Sequence, residues 1–132
     1  MFKLSEHLNI AMLPVQQSYT LILSRLHCYF VEEHEYDDVY LKYDGKKIWP
    51  SDKKQQSIMM DTTTELNVEI PDLSRNQEII IELWDWDFLS PNDKLGTFTL
   101  LIEGDPGPFS TDMVQNIKET KKAKYTIDWE VM

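Results

Sequence analysis

Alternation of apolar and polar residues with a period of two dominates this chain and restricts what it can fold into. Leu66, Val68 and Ile70 are separated by polar residues, and the same pattern recurs in 96–102 and 124–131. Successive side chains of a strand point to opposite faces, so this pattern predicts antiparallel strands with one buried and one solvated face. The predicted strands are 19–28, 38–43, 46–49, 57–60, 65–70, 78–85, 96–102 and 124–131.

Turn residues between these segments favour an all-β sandwich of two sheets. Asp44-Gly45 is the preferred sequence of a two-residue hairpin turn. The alternation slips at Ser24-Arg25, which predicts a β-bulge. Residues 104–108 read Gly-Asp-Pro-Gly-Pro and predict a rigid turn. The following Ser110-Thr111-Asp112 predicts the cap of a short helix over 112–119.

Size, charge and cysteine content narrow the class of protein. The 132 residues suffice for one domain with a real core. The formal net charge of −10 disfavours unaided binding to nucleic acid or to an anionic membrane. Cys28 is the only cysteine, which fits a reducing compartment. The first ten residues lack the continuous apolar core of a signal peptide, so we expect a cytoplasmic protein.

An acidic loop follows the apolar strand 79–84. Residues 85–96 read Asp-Trp-Asp-Phe-Leu-Ser-Pro-Asn-Asp-Lys-Leu-Gly, which puts Asp85, Asp87 and Asp93 on one short segment. Folding does not require these acids at a strand end, whereas calcium takes several carboxylate and carbonyl oxygens as ligands. The loop is not an EF-hand, because Ser90 and Gly96 stand where that loop needs Gly and Glu.

A second acidic cluster lies between the first two predicted strands, at 32–38. It contains Glu32, Glu33, Glu35, Asp37 and Asp38. An odd number of strand passes separates this loop from the loop after 78–85, so both loops emerge at the same end of a sandwich. The sequence therefore predicts one acidic pole. The alternative is that these acids are ordinary solvated loop residues.

These segments resemble the C2 domain family. Leu83-Trp84-Asp85-Trp86-Asp87 followed by 92–96, Asn-Asp-Lys-Leu-Gly, is similar to the third calcium-binding loop of C2 domains. Residues 38–43, Asp-Val-Tyr-Leu-Lys-Tyr, resemble the Asp-Pro-Tyr-Val-Lys-Val strand after the family's first loop, with Val39 in place of Pro. The resemblance covers roughly residues 19–131.

The resemblance implies an eight-stranded antiparallel Greek-key β-sandwich over residues 18–132. Residues 1–17 would form an N-terminal arm or an extra strand. It also implies a Ca²⁺ site in which Glu32, in the position of the first-loop acid, acts with Asp38, Asp85, Asp87 and Asp93. The bound ion would recruit an anionic phospholipid surface or a protein partner. Phe88 and Leu89, at the tip of the acidic loop, would contact that membrane or partner, or would instead fold back onto the core.

Two other functions stay open, and we do not expect an enzyme. The same sandwich can serve as a metal-independent protein-interaction or assembly subunit. It can also bind carbohydrate, since Tyr36, Trp84 and Trp86 offer rings that stack on sugars. The chain has no phosphate-binding Gly-Lys-Ser/Thr loop, no His-Glu-x-x-His and no Gly-x-Ser-x-Gly. Its His27 and Cys28 are adjacent and would point to opposite faces of a strand.

Overall fold

Two antiparallel β-sheets make up the described part of the chain. The computed structural model describes residues 17–116 and 121–132. The strands in these ranges are β1 Tyr19–Phe30, β2 Tyr36–Tyr43, β3 Lys46–Trp49, β4 Gln56–Met59, β5 Thr62–Leu73, β6 Glu78–Asp85, β7 Asp93–Leu101, β8 Phe109–Asp112, β9 Val114–Gln115 and β10 Lys124–Val131. The predicted all-β sandwich is confirmed, and each predicted strand overlaps an observed one.

The core lies between the inner faces of the two sheets. One sheet has the order β5-β1-β10-β8, and the other has the order β3-β2-β6-β7-β9, with β4 also paired to β2. Leu23 and Ile127 from the first sheet and Leu41, Leu83 and Phe98 from the second are completely buried. Their alternation with exposed residues is the period-two pattern of the sequence, and burial of this apolar surface is the main force that holds the sheets together.

Two local predictions from the turn chemistry are confirmed. Asp44 and Gly45 have φ angles of 52° and 76°, the two positive values of a tight hairpin turn between β2 and β3. The register of β1 shifts between Leu23 and Arg25 against both β10 and β5, so the slip in alternation marks a bulge.

The predicted helix over 112–119 is wrong in the described residues. Residues 109–112 and 114–115 are the strands β8 and β9, and 117–120 lie outside the described residues. Thr111 and Asp112 do not cap a helix, because their side chains accept hydrogen bonds from Trp129 Nε1 at 3.0 Å and Thr126 Oγ1 at 2.8 Å in β10. Pairing with β10 therefore determines the conformation that the local cap signal would otherwise set.

The segment 1–17, predicted as an arm or extra strand, lies outside the described residues except for Gln17. Within the described ranges no helix has the length and apolar character needed to span a bilayer.

Candidate functional site

The two acidic loops meet because β2 and β6 are neighbours in one sheet. The chain enters β2 from loop 31–35 and leaves β6 into loop 86–92, and Val39 is paired with Asp85 in the antiparallel ladder. The Asp38 N–H donates to Asp85 Oδ1 at 3.0 Å, and the Trp86 N–H donates to the Asp38 carbonyl at 2.7 Å. The structure therefore brings these loops to one end of the molecule.

A pocket of about 430 Å³ opens between these loops. Five of its lining residues are acids that the sequence places in the two clusters, and three carry aromatic rings. Its lining consists of Glu33, His34, Glu35, Tyr36, Asp38, Asp85, Trp86, Asp87 and Phe88. The pocket thus combines negative charge with aromatic surface.

Asp85 is the buried acid of this pocket, with 4 % of its surface exposed. Burial, together with a hydrogen bond with the Glu33 side chain, raises the pKa of Asp85 to about 8, against the lowering effect of the Asp38 N–H. Two carboxyl groups in contact need a shared proton. With its raised pKa, Asp85 holds this proton at neutral pH.

Asp37 is a buried acid that fixes the backbone of the first loop. Its carboxylate accepts the N–H of Glu32 and of Glu33, both at 2.9 Å, and the hydroxyl of Tyr125 at 2.7 Å. Burial raises the pKa of Asp37, although these hydrogen bonds oppose the increase. Sequence reasoning included Asp37 in the acidic cluster but did not recognise this scaffolding role. Its place on the inward face of β2 is the only signal for it.

Asp87 and Asp38 line the pocket and accept hydrogen bonds from nearby residues. Asp87 accepts the Ser90 hydroxyl at 2.5 Å and the Leu89 N–H at 2.9 Å, and these bonds lower the pKa of Asp87. Asp38 accepts the Ser57 hydroxyl at 2.6 Å. Hydrogen bonds therefore fix both side chains beside the opening, and the lowered pKa keeps Asp87 ionised there.

The other two predicted metal ligands, Glu32 and Asp93, have different partners. Glu32 Oε1 accepts the backbone N–H groups of Lys122 at 2.8 Å and Ala123 at 3.0 Å. The Asp93 carboxylate pairs with the Lys121 ammonium. Among residues 17–116 and 121–132, no three His, Cys, Asp or Glu side chains form a ready metal-binding group. The ligand role of the five predicted acids remains a prediction.

Phe88 and Leu89 project from the loop beside the pocket. They are 79 % and 89 % exposed, so neither side chain packs into the core. The ring of Phe88 lies 6.1 Å from that of Trp86, centroid to centroid. A contiguous apolar tip next to charged groups is typical of a surface that meets another molecule.

Comparisons with known proteins address the fold. No family model and no curated protein sequence matches the chain. A solved C2 domain-containing protein from a putative elicitor-responsive gene is similar at 17 % identity and a TM-score of 0.51, over 87 % of this chain and 88 % of that one. A structure of two C2 domains of extended synaptotagmin 2 matches at 15 % identity and a TM-score of 0.53, over 92 % of this chain and 43 % of that one. A C2 domain of plant extended synaptotagmin 1 matches at 14 % identity and a TM-score of 0.50, over 89 % of this chain and 94 % of that one.

Proposed function

Because this chain has the C2 fold, we propose that it is a calcium-responsive binding module that recruits a phospholipid surface through loops 31–35 and 86–92. We assign it a binding role and no catalytic step. One observation carries the proposal: a pocket lined by carboxylates lies directly beside two exposed apolar side chains, Phe88 and Leu89.

The acids of the pocket fit calcium by their chemistry. Calcium prefers oxygen ligands and tolerates irregular geometry, and Glu33, Asp38, Asp85 and Asp87 offer only carboxylate oxygens. These four would hold the ion, and Asp85 would give up its proton. Glu32 and Asp93 would join only after leaving their present partners. The bound ion would supply positive charge and coordination positions for headgroup oxygens.

Charge explains why this binding would depend on calcium. The protein carries a formal net charge of −10, which repels an anionic bilayer. Neutralisation of the acidic pole would remove the repulsion where Phe88 and Leu89 project. Their side chains would then enter the interfacial region of the bilayer, since burial of apolar surface is favourable once approach is possible.

Thermal melting tests calcium binding. Melting temperatures are recorded in excess EDTA and in millimolar CaCl₂, for the wild type and for the double variant Asp85→Asn/Asp87→Asn. A ligand at 100 times its Kd stabilises the folded state by about 2.7 kcal/mol, so the wild type should melt at a clearly higher temperature in calcium. The double variant should show no such increase. An unchanged wild-type melting temperature would rule out calcium binding.

Vesicle sedimentation tests the apolar tip. Phe88→Ala and Leu89→Ala should each reduce calcium-dependent sedimentation with phosphatidylserine vesicles. Leu101→Ala is the matched control, because Leu101 is also an exposed apolar residue but lies at the opposite end of β7. Equal sedimentation of all three variants would remove Phe88 and Leu89 from the binding surface.

A second candidate is a metal-independent interaction subunit with the same fold. It is favoured by the pairing of Glu32 with the 122–123 backbone and of Asp93 with Lys121, because both acids are satisfied without a metal ion. A partner that binds equally well in EDTA and in calcium would support this candidate against the first.

A further inference from the structure

We propose that the pocket between loops 31–35 and 86–92 binds the guanidinium group of an arginine side chain from a basic protein partner. The inference rests on the proposed role of this pole as the binding surface, and it concerns a different ligand. It does not require calcium.

Aromatic rings form the walls of the pocket. Tyr36, Trp86 and Phe88 all line it, and the planes of Trp86 and Phe88 meet at 55° with their centroids 6.1 Å apart. Tyr36 and Phe88 are exposed, so their faces are available to a ligand. Rings attract cations to their faces, and the planar guanidinium group stacks on them as well.

Carboxylates provide the acceptors that such a cation needs. Glu33, Asp38, Asp85 and Asp87 line the same space. Guanidinium carries five N–H donors in a rigid fork that matches carboxylate oxygens. A bound arginine could therefore direct donors at the acids while its plane lies against a ring.

The pocket has room for a larger cation than a metal ion. In the described ranges no three acidic, His or Cys side chains approach closely enough to surround a metal. The acids are instead distributed around about 430 Å³ of space, which is more than one bare ion requires. An organic cation can contact separated carboxylates without any rearrangement of the loops.

A cation of the protein itself already lies against one of these rings. The Lys54 ammonium is 5.9 Å from the centroid of the Trp86 ring. This contact is independent of the acids and shows that Trp86 presents a face to a side-chain cation. A partner's arginine would use the same attraction from inside the pocket.

Arginine fits this pocket better than a choline headgroup for two reasons. A quaternary ammonium has no N–H donors, so it could not donate hydrogen bonds to Asp38 and Asp87 of the pocket lining. In addition, the formal net charge of −10 accelerates encounters with basic proteins. Binding of choline is therefore an outcome that the test must distinguish.

The test is a titration in excess EDTA, followed by ¹H–¹⁵N NMR. The probe is the peptide acetyl-Gly-Gly-Arg-Gly-Gly-amide, and the control is the same peptide with citrulline, which has nearly the shape of arginine without its charge. We expect the arginine peptide alone to shift the Trp86 indole signal and the amides of loop 31–35. Choline chloride is titrated in parallel.

Matched variants assign the binding to the pocket. Phe88→Ala should weaken binding of the arginine peptide by about three-fold in Kd, the value expected for the loss of one cation–π contact at a surface. Leu101→Ala should leave it unchanged, because Leu101 is an exposed apolar residue that does not line the pocket. Glu33→Gln should weaken binding, whereas Glu69→Gln, an exposed acid on β5, should not.

Several results would overturn the inference. These are equal binding of the citrulline peptide, equal effects of Phe88→Ala and Leu101→Ala, and tighter binding of choline than of arginine. A calcium-induced rise in melting temperature without any response to the arginine peptide would overturn this inference and leave the proposed function intact. Binding of the arginine peptide without a calcium-induced rise in melting temperature would support this inference and overturn calcium binding.

Discussion

The backbone N–H of Asp38 donates a hydrogen bond to Oδ1 of Asp85 at 3.0 Å, which joins two loops that are 47 residues apart in sequence. The Trp86 N–H returns a bond to the Asp38 carbonyl at 2.7 Å. The position of each loop therefore depends on the other, and the candidate pocket is built on the β2–β6 ladder rather than on loop residues alone. Substitution of an acid in either loop should therefore alter the positions of both loops.

Asp37→Ala should destabilise the protein strongly. The change leaves the partly buried N–H groups of Glu32 and Glu33 and the buried hydroxyl of Tyr125 without their acceptor, and an unsatisfied buried group costs about 1–3 kcal/mol. We expect a loss of at least about 2 kcal/mol in the free energy of unfolding, measured by urea denaturation. Tyr125→Phe, which removes only one of the three bonds, should cost less. Equal losses in the two variants would contradict this role for Asp37.

The strands could be predicted from the sequence because their burial follows residue type. In β10, Ile127, Trp129 and Val131 are more buried than the intervening Asp128 and Glu130, as their spacing indicates. Turn chemistry was equally informative at Asp44-Gly45, where few conformations are available. These signals are local, so no knowledge of tertiary contacts is needed to interpret them.

The strand at 109–112, where a helix cap is predicted, and the detail of the site depend on tertiary contacts that the sequence does not reveal. Residues 110–112, which predict a helix cap, also carry side-chain oxygens that can accept hydrogen bonds from a neighbouring strand. Two side chains of β10 donate such bonds. In the first loop, the resemblance indicated Glu32 as the acid of the site. The hydrogen bonds that the Asp37 carboxylate accepts from the backbone hold the loop so that Glu33 lines the pocket, while Glu32 contacts the 122–123 backbone.

Asp85 should make the stability of the metal-free protein depend on pH. Its pKa in the folded state is raised by burial from 3.8 to about 8, so the folded protein holds this proton more tightly than the unfolded chain. The resulting stabilisation is complete below pH 4 and is lost as the pH rises to 8 and above. In EDTA, the free energy of unfolding of Asp85→Asn should therefore increase relative to wild type between pH 5 and pH 9. A constant difference across this range would show that Asp85 does not titrate with a raised pKa.

Gly96→Ala should disrupt the contact between β7 and β9. A Cβ atom at Gly96 would lie 2.4 Å from the Val114 carbonyl oxygen and 2.7 Å from Met113 Cγ, so the strands would have to separate. Overpacking of this kind costs about 1–3 kcal/mol, which urea denaturation would detect. Gly104→Ala is the control, because its nearest atom would be 3.5 Å away on the flexible Arg75 side chain. Similar stability of both variants would contradict the close packing at Gly96.

Lys121→Met should strengthen calcium binding if Asp93 is a ligand. The Lys121 ammonium pairs with the Asp93 carboxylate, so it competes directly with a metal ion for those oxygens. Removal of an adjacent positive charge is worth at least about 1 kcal/mol at the effective dielectric of a protein surface, or about five-fold in Kd. Isothermal titration calorimetry with CaCl₂ measures the change. Lys122→Met removes the same charge from an exposed neighbour and should alter the Kd far less. Equal effects of the two variants would reveal only a general electrostatic contribution and would contradict direct competition between Lys121 and the ion for Asp93.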